Sequence, residues 1–265
     1  MINAAVLGSP INHSLSPLLH SIAYEHLGIE AHYEAIEVRA GELATFLQDC
    51  DKSAFSLTMP LKEEALVVAE VRSKIAQRIS GGNTLHKVNG RWNLTSTDVE
   101  GFKYSLLGSG LSEIDSCLII GSGATSRAAV AAVSSVAKGI EVIHRNPDRQ
   151  SQMDLAAERE ITYLDWELHD QINTADLVIN TTPVKVADFF QPSISSPQGV
   201  LFEVLYHPWP TLISDTWSKS GAIVIDGLDL LIHQAISQVE IFAQLPLNRS
   251  EMYQLMRDGA LKQLS

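Results

Sequence analysis

Lys62 is the first residue whose chemistry stands out. It follows the apolar run FSLTMPL, Phe55 to Leu61, and precedes Glu63 and Glu64 in a chain whose formal net charge is -12. An isolated lysine is ordinarily a solvated surface group, so its neighbours must decide whether it is an acid–base residue. A second candidate is the pair Ser14 and Ser16, just before Pro17. With Pro17 in a first helical turn, both serines lie at the helix mouth, where hydroxyls and unpaired N–H groups together suit a carboxylate. Taken alone, the same segment reads as simple helix capping.

A third candidate is CLIIGSGATSRAAV, a strand, a tight Gly121-x-Gly123 turn and a helix start, with Ser126 at the third motif position, usually Gly or Ala. Glycines there let backbone approach a diphosphate, and the following helix start attracts the anion. The next strand, IEVIHR, ends where an NAD site carries an acidic residue for the ribose hydroxyls. The chain instead reads HRNPDR, with His144, Arg145, Asn146 and Arg149. Guanidinium groups at that place suit a 2′-phosphate, so NADP is favoured over NAD.

Composition limits the alternatives. A sequence pI near 5.1 argues against nucleic acid or an anionic membrane surface as partner, since both are bound by counterion release. An anionic small ligand therefore needs a locally built pocket. The two cysteines, Cys50 and Cys117, form no CxxC pair and have no histidines at metal spacing, so no metal site is expected and a reducing cytoplasm fits. No window is apolar for the length of a spanning helix, and MINAAVLGSP has no basic start and too short an apolar run for a signal peptide. Nothing in one sequence separates monomer from homodimer.

The elements that must position these residues alternate strand and helix. In the first half INAAVLG, AHYEAIEV and SAFSLTM read as strands separated by helical stretches, which implies parallel βαβ units. The grammar restarts near residue 116 with SCLIIG and continues through IEVIHR, a polar helix over 147–160, ITYLD, ADLVINTT, GVLFEVL and AIVID. The expected fold class is α/β in two domains. The first, 1–101 plus 233–265, is a mixed or parallel substrate domain closed by C-terminal helices; the second, 102–232, is a Rossmann dinucleotide-binding domain.

GSPINHSLSPLLH, SLTMPLKEEAL, GGNTLHK, STDVEGF, GSGATSRA, HRNPDR, YHPWPT and GLDLLIHQA, in this order, resemble the motifs of the shikimate dehydrogenase family across essentially the whole chain. The resemblance implies that Lys62 and Asp98 are the catalytic pair of an NADP-dependent oxidoreductase. It implies that Ser14, Ser16 and Tyr206 hold the carboxylate of shikimate or 3-dehydroshikimate, and that Ser56, Thr58, Asn83 and Gln234 face the ring hydroxyls. It places the cofactor on Gly121, Ser122, Gly123, Ala124, Thr125, Ser126, His144, Arg145, Asn146, Arg149, Thr181 and Gly227. The chain departs from the pattern at Ser56 and Ser96, where the family has asparagines, and in NTTPVKVAD, which lacks the usual Gly-Met. A quinate/shikimate dehydrogenase and a non-catalytic ligand-sensing protein on the same fold are the alternatives, and hinge closure around the ligands is expected of a two-domain enzyme.

Overall fold

The computed structural model describes residues 1–111 and 113–264. The chain forms two compact units, Met1–Gly101 together with the chain from Leu231, and Phe102–Leu230.

The first unit is built from β1 (Ile2–Gly8), α1 (Ser16–Leu27), β2 (Ala31–Glu37), α2 (Leu43–Asp49), β3 (Ala54–Leu57) and α3 (Leu61–Val68). It continues with β4 (Val71–Arg72), α4 (Lys74–Arg78), β5 (Thr84–Val88), β6 (Arg91–Thr95) and the start of α5 (Asp98–Gly108). Strand order is β2-β1-β3-β5-β6-β4. β1 lies parallel to β2 and β3, whereas β5 is antiparallel to both β3 and β6.

This hairpin makes the first sheet mixed, with parallel βαβ units limited to β1, β2 and β3. Its turn is Asn89-Gly90, both at positive φ (51° and 77°), the conformation that a two-residue turn between twisted strands demands. Leu7, Phe55, Leu57, Leu85 and Leu94 pack one face of the sheet against Leu43 and Leu47 of α2 and Leu61 and Ala65 of α3. Glu64 accepts the backbone N–H groups of Gly41 (2.8 Å) and Leu43 (3.0 Å), so half of the acidic run after Lys62 anchors the start of α2.

The second unit opens with β7 (Ile114–Ile120), α6 (Ala124–Val133), β8 (Ala137–Ile143), α7 (Gln150–Ala156) and β9 (Ile161–Leu164). It then runs through α8 (Gln171–Thr174), β10 (Leu177–Asn180), β11 (Val200–Glu203), α9 (Leu212–Lys219) and β12 (Val224–Ile225). All six strands are parallel in the order β12-β11-β10-β7-β8-β9. Counted from β7, that is the doubly wound Rossmann order, reversing between β7 and β10. The buried faces of LVIN and VLFE show why these strands lack alternation: helices cover both sides. The helix expected over 147–160 is shorter, a 3-10 turn at Pro147–Arg149 followed by α7 ending at Ala156, since Ala157 turns to extended backbone.

The last helices are α10 (Gly227–Ala243) and α11 (Arg249–Leu264), with α11 packed against α1. The chain passes from one unit to the other within α5 and again within α10.

Candidate active site

The loops after β1 and β3 leave the same sheet edge and are tied together, Ser9 N–H to the Met59 carbonyl (3.0 Å) and Thr58 N–H to the Leu7 carbonyl (2.9 Å). Because β5 runs antiparallel to β3, its first residues return to that edge, and β6 ends there too. One rim therefore carries Ser14 and Ser16, Thr58, Lys62, Asn83 and Asp98, drawn from segments far apart in sequence.

At the centre, the Lys62 ammonium lies 2.6 Å from Asp98 Oδ2. Lys62 is in the first turn of α3 and Asp98 opens α5; their side chains are only 16% and 8% exposed. The other carboxylate oxygen, Oδ1, accepts from Asn83 Nδ2 at 2.8 Å. Asn83 Nδ2 also lies 2.9 Å from Thr97 Oγ1 and 3.0 Å from Gln234 Oε1. Its Oδ1 accepts from the Thr97 N–H (2.8 Å) and the Thr84 hydroxyl (2.9 Å), which defines which way the amide faces. A buried ion pair satisfied on both oxygens holds its geometry, because losing one partner strands the other in low dielectric.

Ser16 is buried in the first turn of α1 and donates its N–H to Ser14 Oγ at 3.3 Å; Pro17 sits at the helix start, as its spacing implies. Thr58 is half-buried on the loop before α3. Ser56 is 4% exposed, and its hydroxyl accepts from Tyr33 (2.6 Å) and donates to Gln238 Oε1 (2.7 Å). Tyr206 belongs to the second unit, on the loop after β11.

In the second unit Gly121 stands at φ 115°, and a Cβ there would come within 2.5 Å of Thr181 Oγ1, so only glycine fits the turn. The Gly123 N–H donates to Ser126 Oγ (3.0 Å), Ser126 meets Thr181 Oγ1 (2.6 Å), and Thr181 donates to the Ile120 carbonyl (2.8 Å). Ser126, 1% exposed, thereby braces the loop. Ser122, Ala124 and Thr125 lie at the opening of α6, whose first-turn N–H groups lack intrahelical acceptors. Thr181 follows β10, directly across the strand-order reversal, and Gly227 opens α10 with its backbone against the Val204 carbonyl.

Arg149 brings Nη1 to 3.5 Å from the Ser122 carbonyl, beside the glycine turn. Arg145 is exposed and lies over the Trp166 ring, 5.0 Å from its centroid. His144 and Asn146 serve the local structure: His144 is buried with Nε2 3.0 Å from Gln150 Nε2, and Asn146 Oδ1 accepts from the Asp148 N–H at 3.0 Å. A left-handed glycine cradle, a helix start and two guanidinium groups fit a dinucleotide carrying a 2′-phosphate.

Sequence reasoning missed Thr84, Thr97, Gln238 and Trp166. Gln238 carried a signal: it lies one helical turn beyond Gln234 in HQAISQ, hence on the same face. Among the described residues, no cluster of His, Cys, Asp and Glu is placed to hold a metal ion, and no helix is long and apolar enough to cross a membrane.

Residues 6–85 match the family model of the shikimate dehydrogenase substrate binding domain. The chain is 31% identical over 279 residues to the NADP(+) shikimate dehydrogenase of Brucella abortus (strain S19), covering 99% of this chain and 94% of that protein. The crystal structure of Mycobacterium tuberculosis shikimate dehydrogenase superposes with a TM-score of 0.85 at 34% identity, covering 97% of this chain and 99% of that one. The shikimate 5-dehydrogenase of Thermus thermophilus, solved in complex with NADP(H) and shikimate, gives a TM-score of 0.86 at 29% identity over 98% and 100% of the two chains. With these similarities spanning both units, the chain belongs to the shikimate dehydrogenase family.

Proposed function

We propose that this protein is an NADP-dependent shikimate dehydrogenase, catalysing the reversible reduction of 3-dehydroshikimate to shikimate. The observation that carries the site assignment is the Lys62–Asp98 pair at 2.6 Å, with Asn83 on the second carboxylate oxygen. NADP, when bound, supplies or accepts the hydride at the ring carbon bearing the reacting oxygen.

The chain's own residues do the rest. The Lys62 ammonium would stabilise the negative charge that grows on that oxygen during reduction, an interaction stronger in the transition state than in the ground state. Asp98 orients the ammonium, and the pair acts as one proton-handling unit. Ser14 and Ser16 at the opening of α1 receive the substrate carboxylate, and Thr58, Asn83 and Gln234 take the ring hydroxyls. Hydroxyl and amide groups suit a polyhydroxylated acid because they donate and accept without adding fixed charge. The glycine turn at Gly121–Gly123 and the first turn of α6 would hold the diphosphate, and Arg145 and Arg149 the 2′-phosphate.

Steady-state assays with shikimate and with quinate, each against NADP and NAD, test the proposal. Turnover of shikimate with NADP as the preferred pair supports it. Preference for quinate with NAD would point to a catabolic relative, and tight shikimate binding without turnover to a sensor. Cys50 and Cys117 are free thiols, in keeping with a cytoplasmic enzyme; light scattering decides between the monomer and homodimer that the family reading allows.

A further inference from the structure

Behind Asn83 lies a buried polar chain that the reaction itself does not use. Gln238, fully buried on α10, donates from Nε2 to the Asn83 carbonyl (3.0 Å) and to Thr84 Oγ1 (3.0 Å). Its Oε1 accepts from the Ser56 hydroxyl (2.7 Å) and lies 3.4 Å from His20 Nε2. Ser56 in turn accepts from Tyr33 (2.6 Å), and His20 Nδ1 lies 3.1 Å from the Tyr24 hydroxyl.

These bonds have a single consistent direction. The Asn83 carbonyl can only accept, so the NH2 end of Gln238 must face it and Oε1 must face Ser56. His20 is fully buried and stacked on Tyr33 at 3.9 Å; burial keeps its ring neutral, with a pKa near 3. Neutral imidazole can donate from Nε2 to Gln238 and accept from Tyr24 at Nδ1. Thr84, accepting from Gln238, donates its own hydroxyl proton to Asn83 Oδ1, leaving Asn83 Nδ2 aimed at Asp98. Each group from Tyr33 through Ser56, Gln238 and Thr84 to Asn83 Oδ1 then has one donor–acceptor assignment.

We propose that Gln238, oriented by Ser56, is a positioning residue that holds Asn83 and so aims Asp98 and Lys62; this rests on the reading of Lys62, Asp98 and Asn83 as the substrate site. It also gives a use to Ser56, where the family pattern has asparagine: a short hydroxyl spans the gap between Tyr33 and Gln238. Gln238 touches no substrate, since it is wholly enclosed, and its influence travels through Asn83.

Three single variants and one double variant test this. Gln238→Met removes the amide at similar volume and is expected to raise KM for shikimate and lower kcat, together costing about tenfold or more in kcat/KM, while KM for NADPH stays within about twofold. Gln238→Glu keeps the acceptor but loses the donors; its kcat/KM should recover relative to wild type as pH is lowered, because a protonated carboxyl again donates to Asn83. Ser56→Ala should lower kcat/KM several-fold alone but add little in the Gln238→Met background, since both act through one amide. Near-UV circular dichroism of each variant reports whether it folds.

A folded Gln238→Met protein with wild-type kinetic constants overturns the proposal, as does a Gln238→Glu profile parallel to wild type. Additive effects of Ser56→Ala and Gln238→Met overturn the link between them. Lys62→Ala serves as the control for the underlying site. If it stays active, the site reading itself fails; if it is inactive while Gln238→Met is unaffected, only the positioning role does.

Discussion

In the first unit the residues assigned to substrate are bonded to one another: Lys62 to Asp98, Asp98 to Asn83, Asn83 to Gln234. In the second unit the cations assigned to the cofactor are held far more loosely, Arg145 leaning on an indole face and Arg149 reaching a single carbonyl at 3.5 Å. The backbone turn there is braced by Ser126 and Thr181, while Arg145 is exposed and Arg149 half-buried. The contrast matches the two tasks. A transition state demands donors aimed before the reaction starts, whereas a phosphate is captured by charge and tolerates adaptable side chains. Changes in the first site should therefore be severe and non-additive, and changes in the second graded and salt-sensitive.

The sharpest break is expected from Lys62→Ala, which should lower kcat by roughly 10²- to 10⁴-fold. Adding Asp98→Ala to it should cost much less than the product of the single effects, since the two act as one unit. Rapid-quench or steady-state kinetics on the three variants would show this, and independent effects would mean that the pair does not function together.

A second difference should appear in acid. Burial lowers the His20 pKa from 6.5 to about 3, so the unfolded chain takes up this proton first. Stability from the neutral ring is complete above pH 6.5 and is lost as pH falls toward 3, by up to about 1.4 kcal/mol per pH unit. Urea unfolding of wild type and His20→Gln between these limits should show a shallower acid slope in the variant. Equal slopes would mean that the ring is not enclosed between Tyr33 and Phe242.

Smaller effects are expected in the second unit. Arg149→Ala and Arg145→Ala should each raise KM for NADPH about tenfold while changing KM for NADH little, with the gap narrowing at high salt. Equal losses for both nucleotides would place the guanidinium groups elsewhere than on the 2′-phosphate. Trp166→Phe, which keeps an aromatic ring against Phe189 and Phe190 but weakens the platform under Arg145, should cost about twofold for NADPH, a fraction of the worth of an exposed cation–π contact. An unchanged NADPH constant would show that Arg145 needs no such platform.

Much of this molecule could be read from local signals. The strand–helix grammar of the second half led to a Rossmann sheet, because strands covered on both faces are continuous apolar runs. The Gly121 turn and the arginines after β8 announced a dinucleotide with a 2′-phosphate through spacing alone. The β5–β6 hairpin also left a local mark, the Asn89-Gly90 turn, which the alternation of strands and helices around it obscured. Ser56 and Ser126 show the opposite limit. Each occupies a motif position, yet its hydroxyl bonds to side chains far along the chain, Ser56 to Gln238 and Ser126 to Thr181.

The sequence by itself determined the class of fold and the identity of the chemical groups, since these follow from periodicity, glycine conformational freedom and charge within a few residues, and its ordered motifs carried the resemblance to the family. Only the tertiary structure decided which groups meet. Asn83 finds Gln234 across 151 positions and Ser56 finds Gln238 across 182. A hydrogen bond requires its partners within about 3 Å and correctly directed, and that condition belongs to the folded sheet edge and helix α10, where distant segments are brought to one place.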